Sequence, residues 1–222
     1  MRKAYHLTTD FRPIAVGILA GVFAVLILSS CGGGSSRVVA EQPIVDDSQV
    51  EDLQQALEGL PFPEYLEESY RRLSLRDPEF VVRNGLSVTF ELSETSLTNV
   101  SEPYRSVTLD MMEAVLEILQ RDFDYDLLLE SEKVSFDSYE TYLEGEIAGR
   151  AHMRFRYWAA DGIYGEQVTT ELFFTDQHPL ETRSDADAYI ERLALIPEKF
   201  DQIVSNLSLS EGDGIVEHVG LH

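Results

Sequence analysis

The sequence predicts a mostly α-helical domain, built of three long helices with short helices and extended loops, behind a lipoprotein signal peptide and a tether. Three observations carry that prediction. Apolar residues recur at steps of three or four along three long segments, which is the spacing of one helix face. The stretch with strand-like alternation, Leu86, Val88, Phe90 and Leu92, has no obvious partner strand, and a lone strand is unstable, so it is expected as an extended loop. The chain is 44% apolar and 10% aromatic, enough to bury a core despite its charge.

Residues 1–30 read as a secretory signal. Arg2, Lys3 and Arg12 precede an apolar run from Ile14 to Leu28 that is too short and too sharply ended for a comfortable membrane span. Leu28-Ser29-Ser30-Cys31 resembles the bacterial lipobox, so cleavage is expected between Ser30 and Cys31, with lipid attached to the Cys31 thiol. Several acyl chains on one residue hold a membrane firmly, because each buried methylene contributes about 0.8 kcal/mol. The partner expected here is membrane lipid, through an anchor that does not span. Gly32 stands where an aspartate would signal inner-membrane retention, so the expected place is the cell envelope, on the outer membrane facing the periplasm in a Gram-negative cell. Residues 31–60 lack a sustained apolar period and carry Glu41, Asp46, Asp47, Glu51 and Asp52, the composition of a flexible acidic tether.

The helical domain is expected over residues 61–215. Pro63 suits a first helical turn, followed by Tyr65, Leu66, Tyr70 and Leu73 on one face. A short helix is predicted from Asp77-Pro78 to Asn84-Gly85, with Gly85 as a left-handed stop. The first long helix spans Tyr104 to Asp122, with Val107, Met111, Val115, Ile118 and Leu119 on its stripe. The second runs from Lys133 to Trp158, with a continuous face of Phe136, Tyr139, Leu143, Ile147, Ala151, Phe155 and a buried Trp158. The third opens at Ser184-Asp185-Ala186-Asp187 and repeats Tyr189, Leu193, Ile196, Phe200, Ile203 or Val204, and Leu207. Pro197 removes one backbone hydrogen bond and is expected to kink or briefly break that helix, and Gly212 and Gly214 close it. Residues 216–222 form a divergent tail.

Forty acidic against 17 basic residues give a formal charge of -23, which repels phosphate backbones and excludes nucleic acid as a partner. Cys31 is the sole cysteine, so an intrachain disulfide and a cysteine-ligated zinc site are excluded. Carboxylate pairs abound without a distinctive context. His152 lies among Arg150, Arg154 and Arg156, a poor setting for a cation; His178 precedes Pro179 between helices, where it packs or caps. His218 and His222 have the four-residue spacing of a helical metal pair. Gly220 weakens a helix there, and no glutamate follows the first histidine. No catalytic residue, metal ligand or cofactor is therefore assigned.

Several stretches together resemble the N-terminal half of the bacterial "domain of unknown function 885" family. They include Phe173-Phe174-Thr-Asp-Gln-His178-Pro179-Leu180, Asp185-Ala186-Asp187-Ala188-Tyr189-Ile190-Glu191-Arg192-Leu193, Phe200-Asp201-Gln202 and Gly214-Ile215. Tyr65 to Tyr70, Asp77-Pro78-Glu79-Phe80, Leu97 to Ser101 and Ser135 to Leu143 agree with it, so the resemblance covers about residues 62–215. It implies a mostly helical, secreted or lipid-anchored protein of metallopeptidase-like type, whose zinc site is an HExxPGHH-type helix far downstream. That motif is absent from this sequence, and Val216 to His222 depart from the family pattern. The expected function is thus a membrane-anchored lipoprotein carrying the non-catalytic N-terminal helical part of the family, truncated and inactive alone, its partner a missing C-terminal catalytic half. The alternative is a stand-alone envelope lipoprotein acting as a binding or scaffold module for another envelope protein.

Overall fold

The structure is a computed structural model, and it describes residues 48–92, 95–156 and 165–215. Within them lie eight α-helices: α1 (Ser48–Leu57), α2 (Phe62–Ser74), α3 (Pro78–Arg83), α4 (Glu102–Asp122), α5 (Glu130–Ala148), α6 (Met153–Arg156), α7 (Glu166–Leu172) and α8 (Arg183–Gly212). No strand occurs among the described residues, and none of their helices is long and apolar enough to cross a membrane.

The main core forms where α1, α2 and α5 pack on α4. Leu53 and Leu57 of α1, Phe62 and Tyr65 of α2, Val115 and Leu119 of α4, and Phe136 and Leu143 of α5 are its buried centre. The Tyr65 hydroxyl donates to the Val115 carbonyl at 2.6 Å, so its polar end is satisfied inside the core. Burial pushes the Tyr65 hydroxyl's pKa upward, which keeps it a donor. At the rim Arg76 lies 3.5 Å over the Tyr104 ring and donates to Thr108 Oγ1 at 3.0 Å, joining the turn after α2 to α4.

The α1 helix corrects the expected tether over residues 48–57; residues 31–47 lie outside the described residues. The apolar residues of α1 are few, Val50, Leu53 and Leu57, but their spacing puts them on one side. There α4 covers them. The short helix α3 forms as predicted: Asp77 Oδ1 accepts from Phe80 N at 2.9 Å, and Gly85 has φ +67°. The next segment is not extended. Phe90 N donates to Leu86 O at 2.8 Å and Leu92 N to Ser87 O at 2.9 Å, so successive turns satisfy the backbone locally and no partner strand is needed. Phe90 is buried while Val88 is 91% exposed.

The second long helix is shorter than its apolar period suggests. It starts at Glu130, where the Glu132 carboxylate accepts from Leu129 N at 2.8 Å, and gives way at Gly149 to a tighter 3₁₀ turn ending at His152. Gly145 and Gly149 weaken the helix, and the change of pitch turns Ala151 to the surface. The Phe155 side chain and Trp158 lie outside the described residues.

Before His178, which lies between helices as expected, come α7 and one turn of π-helix, Phe173–Gln177, closed by His178 N donating to Phe173 O at 2.8 Å. The wider turn lets two consecutive rings, Phe173 and Phe174, both enter a second small core with Val82. Then α8 begins at Arg183, with its cap at Thr182, two residues before the predicted opening at Ser184. Thr182 and Asp185 cap each other there, with Asp185 N to Thr182 Oγ1 at 3.1 Å and Thr182 N to Asp185 Oδ2 at 2.7 Å. It runs through Pro197 without a break: Pro197 is exposed, where water can satisfy the Leu193 carbonyl it leaves free. The positive φ of Gly214 ends it.

The buried face of α8 is not the predicted apolar stripe. Tyr189, Ile196 and Ile203 pack inward, but Leu193, Phe200, Val204 and Leu207 are exposed, and their place inside is taken by Arg192 and Lys199. Polar side chains tie this helix down. Gln202 Oε1 accepts from Val100 N at 2.9 Å, Asn206 Nδ2 donates to Val100 O at 2.7 Å, and Arg192 Nε donates to Ser96 O at 3.1 Å.

Candidate functional site: a buried polar tie and an aromatic groove

Two places concentrate side chains that could bind or react. The first lies where α3, α7 and α8 meet. Lys199, 2% exposed, donates from Nζ to Glu79 Oε1 at 2.6 Å, and its Nζ stands 3.7 Å from Glu166 Oε2. Glu166 in turn pairs with Arg105 of α4. The same Glu79 oxygen accepts from Thr98 N at 3.1 Å, and Thr98 Oγ1 donates to Asp77 Oδ1. Burial pushes the Glu79 carboxyl's pKa above its ordinary value, with the Lys199 ammonium pulling the other way.

About two turns earlier on α8, Arg192 Nη1 lies 2.8 Å from His178 Nε2, and His178 Nδ1 lies 2.8 Å from Pro179 O. A guanidinium can only donate, so Nε2 is the acceptor and the proton sits on Nδ1, donated to the Pro179 carbonyl. The ring is boxed by Phe173, Phe174 and Tyr189. Burial lowers the His178 pKa below 6.5, with Arg192 pushing the same way; the hydrogen bond to the Pro179 carbonyl opposes it, and Asp185 does so less. A lowered histidine pKa means the unfolded chain takes up the proton first, so the stability from neutral His178 is full above pH 6.5 and is lost as pH falls below it. Urea midpoints should therefore drop from about pH 7.5 to about pH 5.5, and His178→Gln should flatten the drop. An unchanged slope in that variant removes His178 as its cause.

The second place is an open groove of about 550 Å³ between α2 and α5. Pro63, Leu66 and Tyr70 form one wall and Ser138, Tyr139 and Tyr142 the other. Tyr139 stacks on Tyr142 at 6.4 Å and donates to Ser69 Oγ at 3.0 Å, and burial pushes the Tyr139 pKa up to about 12. At neutral pH the groove offers aromatic faces and neutral hydroxyls; Glu67 is its carboxylate.

Of the residues singled out in the sequence, His178 joins the buried tie as a packing group. His152 is exposed in the 3₁₀ turn. Its arginine neighbours are occupied: Arg150 pairs with Asp110 and Glu113 of α4, and Arg154 with Glu102. Ser30, Cys31, His218 and His222 lie outside the described residues. Among the described residues no group of three or more His, Cys, Asp or Glu is placed to hold a metal ion. Sequence reasoning missed the Glu79–Lys199 and His178–Arg192 pairs. The only signal for them was the spacing of Arg192, Ile196, Lys199 and Ile203, a mixed face that competes with the cleaner apolar one beside it.

No curated protein matches the chain. No solved structure matches it either. A family model described as "Bacterial protein of unknown function (DUF885)" matches residues 78–220, starting later than the resemblance at residue 62 and continuing into the tail read as divergent. That match takes in α3 to α8 and both buried pairs, and the chain belongs to this family.

Proposed function

We propose that the protein is a lipid-anchored component of the bacterial cell envelope, whose helical domain is a non-catalytic scaffold within a metallopeptidase-like family. The observation that carries the scaffold reading is how the family-matched acid and base groups are used. Glu79 of α3 is held by Lys199 of α8 and by Thr98, and His178 by Arg192 of α8 and by the neighbouring Pro179 carbonyl. A general acid or base needs an open side toward a substrate. These groups spend their hydrogen bonds on each other and on the chain. Catalysis in such a protein falls to residues outside this domain.

The anchor reading is supported by the Leu28-Ser29-Ser30-Cys31 sequence after a short apolar run. Cells fed a radiolabelled fatty acid should label the protein, and Cys31→Ser should abolish the label; label persisting in the mutant sinks the anchor. For the scaffold reading, the purified chain should retain no stoichiometric zinc after dialysis against a mild chelator and should hydrolyse no peptide. About one zinc per chain, lost in His218→Ala, would make it a candidate enzyme instead.

A further inference from the structure

The outer face of α8 is apolar and open. Ile190, Leu193, Phe200, Val204 and Leu207 are between 38% and 65% exposed. With Pro197 they follow the alternating three- and four-residue steps of a helix-pairing seam, about 27 Å long from Ile190 to Leu207. Each residue of the adjoining row lies one position further along the chain, and that row carries exposed Glu191, Glu198 and Asp201, continued upstream by exposed Asp187. Between Ser184 and Gly212 the helix has two cations, Arg192 and Lys199, and both are buried on the opposite side in the pairs described above. Arg183, the first residue of α8, stands 3.8 Å from Asp187 and offsets that acid alone, so Glu191, Glu198 and Asp201 border the seam with negative charge that no cation of α8 is shown to pair.

We propose that this face docks an amphipathic helix of another protein, one that carries lysine or arginine beside its apolar stripe. A straight, narrow seam of this length fits the anchor spacing of a helix laid along it. The acidic row selects the sign of the partner's flank. A second copy of this chain is a poorer fit, because an antiparallel two-fold pairing of α8 sets the acidic row against itself. An anionic bilayer is repelled by the same row. The proposal does not depend on the lipid anchor or on the scaffold reading.

The test uses the full chain and synthetic amphipathic peptides of about 18 residues, the length of the seam, with leucines at its spacing and flanks that are either lysine or glutamate. In fluorescence anisotropy the lysine-flanked peptide should bind about tenfold more tightly than the glutamate-flanked one. Because the whole chain is acidic, long-range attraction alone would favour a basic peptide, so the local row is tested by charge reversal. The double variant Glu198→Lys, Asp201→Lys should erase or invert the preference, and Phe200→Asp should abolish binding while helix content by circular dichroism stays unchanged. A preference that survives the double variant overturns the proposal, as does equal affinity for both peptides. Concentration-dependent self-association that disappears in Phe200→Asp also overturns it, by making a second copy the occupant.

Discussion

Replacing Lys199 by methionine should lower the unfolding free energy by about 3–5 kcal/mol at neutral pH, because it leaves the Glu79 carboxylate buried without its cation. Methionine fills most of the space of the lysine stem, so packing loss contributes little. Glu79 retains the Thr98 N–H, which cannot replace a full charge. Its pKa is already raised by burial, and losing Lys199 raises it further. A carboxyl raised in the folded state favours folding below the unfolded value of 4.5 and loses that contribution as pH rises through the folded value. The penalty of Lys199→Met should accordingly grow from acid toward neutral pH. The double variant Lys199→Met, Glu79→Leu should recover most of the loss, since an apolar pair of similar volume is often as stable as a buried ion pair. Urea unfolding of the three variants across pH measures this. A single-variant loss below about 1 kcal/mol would show that water reaches the pair and screens it.

Leu143→Ala should cost about 2–5 kcal/mol in the same measurement, the range for a fully buried leucine whose cavity relaxes only in part. Leu143 is on the face of α5 that meets α4, in the core shared with Leu53, Tyr65 and Val115. Its neighbours on one helix face differ usefully: Tyr139 borders the groove as well as the core, and Tyr142 is 48% exposed. The exposed Thr141 on the same helix supplies the control: Thr141→Ala is expected within about 0.5 kcal/mol of the parent. A Leu143→Ala loss under about 0.5 kcal/mol would place this face of α5 in solvent and reverse the packing described for the bundle.

The legible parts of the fold are those whose cause is local. At α3 an aspartate accepts a backbone hydrogen bond three residues on and a glycine takes a positive φ, and both signs are in the chain itself. The α4 helix has a long apolar stripe and a proline in its first turn, and its observed span differs from the predicted one by two residues at the start. Two of the misread segments have weak local signals. Three apolar residues among acids did not announce α1, because its stability comes from the surface that α4 supplies. In residues 86–92 an alternating pattern meets a backbone that closes its own turns.

At the candidate site the limit is different. The sequence by itself determined the helical class, the ends of α3, the glycine stop of α8 and membership of the family, since capping, helical period and motif order are all written within short stretches of chain. Tertiary structure alone decided which face of α8 turns inward. By hydropathy Leu193, Phe200, Val204 and Leu207 belong inside and Lys199 outside; the fold does the reverse, with Lys199 hydrogen-bonded to Glu79, 120 residues away, on the same inward side as Tyr189, Ile196 and Ile203. Burying an ion is costly unless its partner is already in place, and that partner's position is a property of the assembled helices.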